Sequence, residues 1–206
     1  MRTAYQRQWI TSRDGNISFR EAGKSDWWIT PSGALKYALT PQALKHVPDL
    51  IPTPQDGVDR GLSGEFALHR ALHAQRVHRQ TAVVHLHPTY TVAALYAGLE
   101  LDKICLEFPE IARYTCVGRS VPALAATSAE LAQACELAFL ACPCGQTPDI
   151  IGLDRHGVVA IGRDLRAVVT LQRRLVEAQQ ALEREYWRFR EAETRYRHLF
   201  DVSSEP

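Results

Sequence analysis

Apolar positions along the chain switch repeatedly between strand-like and helix-like spacing. Asp14-Gly15-Asn16 has the composition of a tight turn, and Ile17-Ser18-Phe19-Arg20 after it alternates apolar and polar residues as a half-buried strand does. Trp27-Trp28-Ile29-Thr30 is the expected hairpin partner, ended by Pro31-Ser32-Gly33, a loop with a free hydroxyl and exposed backbone amides. Thr40-Pro41 opens a short helix through Leu44, and Ser63 is the expected N-cap of a helix carrying Phe66, Leu68 and Leu72 at helical spacing. The apolar run Ala82-Val83-Val84, continued by His85-Leu86-His87 and stopped by Pro88, reads as a buried strand. Helices are expected from Thr89 to about Ala97 and from Ser128 to about Ala141. Asp149 to Leu153 and Gly157 to Ile161 read as strands flanking Arg155-His156. From Leu165 to about Leu199 the pattern is helical and increasingly charged. Tyr186, Trp187, Phe189, Tyr196, Leu199 and Phe200 are more large apolar groups than a free tail carries, so this long C-terminal helix (about 165–200) is expected to lie first on the sheet and then on another subunit.

Helices thus alternate with strands, which points to an α/β fold. With 206 residues and 46% hydrophobic content, the chain can bury one good core, and a single domain over residues 1–206 is expected. A formal charge of +1 gives no general drive toward nucleic acid or anionic membrane, so a small-molecule partner is expected. No stretch approaches the roughly 20 apolar residues of a spanning helix, and Met1 to Arg7 lacks a signal peptide's apolar core. A cytoplasmic protein is the expectation. The five cysteines, an odd number, then read as reduced thiols, and Cys142-Pro143-Cys144 as a helix-end turn in preference to a soft-metal site.

The chemistry centres on His85 and His87. Residues i and i+2 of a strand share a face, so two neutral imidazoles there make half a metal's coordination shell. The same pattern also occurs as core or loop histidines bonded to neighbours, and a third ligand has to be found. His156 is the candidate: it sits between two short strands, and Gly157 after it permits close backbone approach. Glu65, near the start of its helix, is a carboxylate that can ligate a metal or move a proton beside a polarised carbonyl. A competing cluster is Glu65, His69 and His73, which the i, i+4, i+8 spacing stacks on one helical face.

Together these segments resemble the class II aldolase/adducin family, in the branch of fuculose-phosphate and rhamnulose-phosphate aldolases and ribulose-phosphate 4-epimerases. The elements are Asp14-Gly15-Asn16-Ile17-Ser18, Ile29-Thr30-Pro31-Ser32-Gly33, Ser63-Gly64-Glu65, His85-Leu86-His87-Pro88 and Arg155-His156-Gly157-Val158-Val159, in the family's order. The resemblance implies a three-layer α/β/α fold with a mainly antiparallel central sheet and a cytoplasmic homotetramer. It also implies a divalent metal on His85, His87 and His156, zinc before Mn2+, Fe2+ or Co2+, with Glu65 as catalytic acid/base. Substrate phosphate would lie against Asn16, Ser32, Gly33, Ser63 and Gly64, the last standing where serine is common.

The implied activity is that of a lyase in carbohydrate metabolism: retro-aldol cleavage of a small sugar phosphate or related hydroxy-carbonyl compound through a metal-stabilised enediolate. A 4-epimerase, a dehydratase or a decarboxylase would use the same scaffold. A non-catalytic scaffold of the adducin kind would have no need for three imidazoles and a carboxylate converging on one point. The family's aldolases use a neighbouring subunit's tyrosine, which the segment Ile104 to Tyr114 lacks at the expected place. Glu107, Glu110 and Tyr114 are the alternatives for a second acid/base.

Overall fold

The computed structural model describes residues 1–48, 60–76, 79–140 and 145–164, with isolated positions beyond. A short helix α1 (Arg2–Gln6) precedes strands β1 (Asn16–Arg20), β2 (Trp27–Ile29) and β3 (Lys45–Val47). Helix α2 (Phe66–Ala74) and strand β4 (Thr81–Leu86) follow. Next come helices α3 (Thr89–Tyr96), α4 (Leu101–Leu106), α5 (Pro109–Tyr114) and α6 (Ala129–Ala138), then the hairpin β5 (Ile150–Leu153) and β6 (Gly157–Gly162). The strands form one six-stranded sheet in the order β3-β2-β1-β4-β6-β5, every neighbouring pair antiparallel.

Because β4 lies at the centre, both of its faces are covered and all six of its residues are buried. Ala82, Val84 and Leu86 point with Val158 and Ala160 of β6 into a core closed by Leu95 of α3, Leu101 and Cys105 of α4, and Trp9 and Ile10. Val83 points the other way, with Val159, Ile161, Ile151 and Leu153, against Leu68 and Leu72 of α2 and Leu131 and Cys135 of α6. The result is the expected three-layer α/β/α arrangement. Burial pushes the Cys105 and Cys135 thiols up to about 12, so both are inert packing groups. No described helix is long and apolar enough to cross a membrane.

Three local expectations change. Strand β1 does alternate, but its polar side is the buried one: Asn16, Ser18 and Arg20 are 8%, 1% and 3% exposed, whereas Ile17 and Phe19 are only partly buried. Ser63 is not the N-cap of α2. Its amide donates to the Thr30 carbonyl at 3.1 Å and Leu62 bridges Pro31, so the segment is tied to the end of β2 and the helix starts only at Phe66. The expected Thr40 to Leu44 helix is one 3-10 turn, Pro41–Ala43, with Pro41 in the first turn where its missing N–H costs nothing. Ser128 does cap α6, accepting from the Leu131 amide at 3.0 Å. Cys142-Pro143-Cys144 lies outside the described residues, as does nearly all of the helix expected over about 165–200, where Gln180, Arg184, Trp187, Arg188 and Glu191 are helical.

Candidate metal centre

Two strand ends meet at the candidate site. His85 is the penultimate residue of β4 and fully buried; His87 lies just beyond the strand, its amide donating to the Trp9 carbonyl at 3.1 Å. In the β5–β6 turn Arg155 takes a left-handed conformation (φ 59) and the His156 amide closes on the Leu153 carbonyl at 3.0 Å. Gly157 then starts β6 directly beside the end of β4. A Cβ at that position would stand 2.4 Å from the Leu86 carbonyl oxygen and 2.7 Å from His87 Cδ2, so only glycine lets the hairpin bring His156 this close.

Ring centroids of His85, His87 and His156 are 4.5, 4.7 and 5.0 Å apart, and one ligand atom from each lies within 4.8 Å of the others. His85 Nδ1 donates to the Val158 carbonyl at 3.0 Å, which leaves its Nε2 as a bare lone pair. Asp14 Oδ2 is 3.5 Å from His87 Nδ1 and favours the proton there, which likewise bares His87 Nε2. The two Nε2 atoms stand 2.6 Å apart. Two lone pairs facing one another repel unless a cation lies between them, so the donor set fits a divalent metal. Burial, then the neighbouring imidazoles, hold His85 well below the usual histidine range. Burial and His156 lower His87 too, partly offset by Asp14 and Glu65, so both present neutral, ligating rings near pH 7.

Glu65 caps the pocket from the start of α2, 6% exposed, with Oε2 3.2 Å from His85 Nε2 and Oε1 3.3 Å from His156 Nε2. Asn16 Nδ2 donates to Glu65 Oε2 at 2.7 Å, and Asn16 is itself the cross-strand partner of His85. Beside Glu65 and His87 opens a cavity of about 220 Å³ whose wall carries Asn16, Ser32, Gly33, Ser63 and Gly64, the whole expected anion-binding set. A second cavity of about 550 Å³ lies on the other side of His87, walled by α1 and the loop after it, with Tyr5, Gln8 and Thr11.

Sequence reasoning missed three residues of the smaller cavity: Arg13, Lys36 and Thr127. Arg13 immediately precedes the Asp14-Gly15-Asn16 turn, a position that could have flagged it, and donates to the Gly33 carbonyl at 3.3 Å. Lys36, 2% exposed, spends Nζ on the carbonyls of Arg13 (3.0 Å) and Ala34 (2.9 Å), tying together the two loops that face the smaller cavity. Thr127 has φ 65, rare for a β-branched residue, and its Cγ2 lies 3.2 Å from where a Cβ at position 64 would stand. Gly64 and Thr127 therefore share one space on the cavity wall.

The competing cluster of Glu65, His69 and His73 does not form a metal site. Ser18 Oγ lies between His69 Nδ1 (2.6 Å) and His73 Nε2 (2.7 Å), and Asn16 takes His69 Nε2, so these ring atoms face protein partners. Among the described residues, His85, His87 and His156 are the histidine, cysteine and acidic groups that converge as a metal's ligands would. Glu107 is exposed and Tyr114 is 54% exposed; neither lines either cavity of the single chain, and the side chain of Glu110 is outside the described ones.

A six-stranded antiparallel sheet between helical layers, with three histidines and a glutamate at one end of its central strands, defines an aldolase-like α/β protein. The chain matches the Class II Aldolase and Adducin N-terminal domain family over residues 1–182 and belongs to that family. Among solved structures it is similar to L-fuculose-1-phosphate aldolase from Thermus thermophilus (26% identity, 89% of each chain, TM-score 0.69). YgbL from Klebsiella pneumoniae, described as an aldolase, epimerase or decarboxylase, is 26% identical over 87% of this chain and 83% of its own, with TM-score 0.69. A sugar-phosphate aldolase from Thermotoga maritima shares the fold at 21% identity, 88% and 89% coverage and TM-score 0.67. Comparison with curated proteins gives no match. An aldolase-type or related enzyme is the class this family and these neighbours support.

Proposed function

We propose that the chain is a metal-dependent lyase that cleaves a small sugar phosphate, or a related hydroxy-carbonyl compound, by retro-aldol chemistry. The observation that carries this reading is the pair of bare Nε2 atoms of His85 and His87 facing one another 2.6 Å apart, with His156 and the Glu65 carboxylate beside them. His85, His87 and His156 would hold the ion, zinc before manganese, iron or cobalt. When bound, it supplies Lewis acidity for the negative charge that develops on substrate oxygens.

In the cleavage direction the electrons of the breaking carbon–carbon bond move toward the substrate carbonyl oxygen. Glu65 gives a proton to the carbon left behind, and in the condensation direction takes it back. A second group must accept the proton of the departing hydroxyl, and Glu107, Glu110 and Tyr114 are its candidates, reaching the site from a neighbouring copy in a homotetramer. The anionic end of the substrate would lie in the smaller cavity against Asn16, Ser32, Gly33, Ser63 and Gly64, with the Arg13 guanidinium adding charge and Thr127 a hydroxyl. Burial among Asn16, His85 and His156 confines the solvent contact of Glu65 to the side that lines the smaller cavity.

YgbL's description, and the absence of a tyrosine at the family's place in the Ile104 to Tyr114 segment, support a second reading: 4-epimerisation or decarboxylation with the same proton-moving glutamate. A panel of sugar phosphates and hydroxy acids, assayed for aldehyde release, epimer formation and carbon dioxide, separates the readings. Glu65→Gln is expected to keep its metal and lose about 10²–10⁴-fold in turnover. Unchanged turnover in Glu65→Gln would remove Glu65 from the mechanism.

A further inference from the structure

Behind Glu65 and Asn16 runs a row of buried polar side chains, His69, Ser18 and His73, that neither metal nor substrate uses. Helix α2 presents Glu65, His69 and His73 at i, i+4 and i+8, and β1 presents Asn16, Ser18 and Arg20 at i, i+2 and i+4. Four residues of helix rise about 6 Å and two residues of strand about 6.8 Å, so the two rows stay in step as the helix crosses the strand. Glu65, Asn16, His69, Ser18 and His73 are each 8% exposed or less. Consecutive bonds link all five: Asn16 Nδ2 to Glu65 Oε2 (2.7 Å), Asn16 Oδ1 to His69 Nε2, His69 Nδ1 to Ser18 Oγ (2.6 Å) and Ser18 Oγ to His73 Nε2 (2.7 Å).

Chemistry gives this chain one direction. The Glu65 oxygen accepts from Asn16 Nδ2, so Asn16 turns its NH2 toward Glu65 and its carbonyl toward His69. His69 therefore carries its proton on Nε2, and its Nδ1 can only accept, from the Ser18 hydroxyl. Ser18 Oγ then accepts from His73, whose proton is also on Nε2. Such a chain leaves one lone pair over at its far end, and His73 Nδ1 is the atom among these five side chains that has no partner among the described residues. Burial lowers His69 to about 3 against a smaller opposing pull from Glu65, and burial with His69 and Arg20 lowers His73 to about 2, so both rings are neutral.

We propose that His73, Ser18 and His69 act through Asn16 as positioning residues for Glu65, a one-way hydrogen-bond chain that locks the Asn16 amide with its NH2 facing the carboxylate. Asn16 also lines the smaller cavity, so the same lock keeps its second N–H, and not its carbonyl, available to an anion there. Without the His69 donor the amide is free to turn over and present oxygen to Glu65, an acceptor against an acceptor. The inference rests on Glu65 as the acid/base of the proposed reaction, but its test uses no substrate.

The test is nitrogen-15 NMR of the full zinc-loaded chain labelled at histidine and asparagine. Both His69 and His73 are expected as neutral rings protonated on Nε2, with the Asn16 side-chain NH2 slow to exchange. In His69→Gln, whose amide keeps a donor at similar reach, the slow Asn16 signal is expected to persist. His69→Phe keeps a ring but no donor, and Asn16 exchange is expected to rise at least tenfold with zinc content unchanged. A proton on Nδ1 of either ring, which reverses the chain, overturns the proposal, as does an unchanged Asn16 signal in His69→Phe. The tautomers are read in the unaltered protein, so that arm decides even where His69→Phe fails to fold. Absence of cleavage activity in the same samples would count against the proposed reaction alone.

Discussion

Burying two neutral imidazoles between α2 and β1 ties stability to pH in a way that can be worked through for His73. Burial is the main cause that lowers it to about 2 from an ordinary 6.5, with His69 and Arg20 adding to the effect. In the unfolded chain the ring takes up a proton below about 6.5, while in the fold it stays neutral until far lower. Its depressed value therefore means that stability is full above about pH 6.5 and is lost as pH falls, at up to ~1.4 kcal/mol per pH unit. Between pH 7.5 and pH 5 the loss comes to ~2 kcal/mol for His73 and a similar ~2 kcal/mol for His69, lowered to about 3. His73→Phe keeps a ring against Trp27, whose centroid is 4.7 Å away, and removes the titration. Urea unfolding of both proteins across this range should show the wild type losing ~2 kcal/mol more than the variant. Acid effects at the metal ligands cancel in that difference. Parallel pH curves for the two proteins would refute the reasoning.

Two further substitutions probe the centre and the anion cavity. Gly157→Ala forces a Cβ within 2.4 Å of the Leu86 carbonyl and 2.7 Å of His87 Cδ2, so it should cost ~1–3 kcal/mol by overpacking and lower metal occupancy; full occupancy by elemental analysis would contradict the packing argument. Arg13→Ala should weaken inorganic phosphate binding about tenfold in calorimetry, the low end expected for a charge-assisted bond at an exposed side chain, and leave metal content unchanged. Equal phosphate affinity would take Arg13 out of the anion site.

Much of the fold was legible because the periods of the central elements are clean. Ala82 to His87 is apolar enough to require a strand covered on both sides, and Ser128 with Glu130 and Leu131 marks a helix start that the hydroxyl does cap. The α4 and α5 segments, each six residues long, are too short to display a helical period, and β3 is three residues at the sheet edge. Strand β1 shows where alternation alone misleads: Ser18 and Arg20 are buried because α2 and the turn after it offer them His69, His73 and the Arg76 carbonyl, partners dozens of residues away in sequence. The same long-range pairing explains the helical row Glu65, His69, His73. Its spacing announced a shared face, but only the fold shows that Ser18 and Asn16 occupy three of the four ring nitrogens of His69 and His73. Arg13, Lys36 and Thr127 became visible at the smaller cavity for a similar reason, since three separate loops close on one space.

The central claim is that His85, His87 and His156 form one metal site. It is tested most directly by inductively coupled plasma mass spectrometry of the purified chain beside His85→Ala, each after reconstitution with zinc and removal of the excess. The account predicts close to one zinc per wild-type chain and almost none in a folded His85→Ala. A wild type that takes up no metal, or a His85→Ala that retains the full amount, would contradict it.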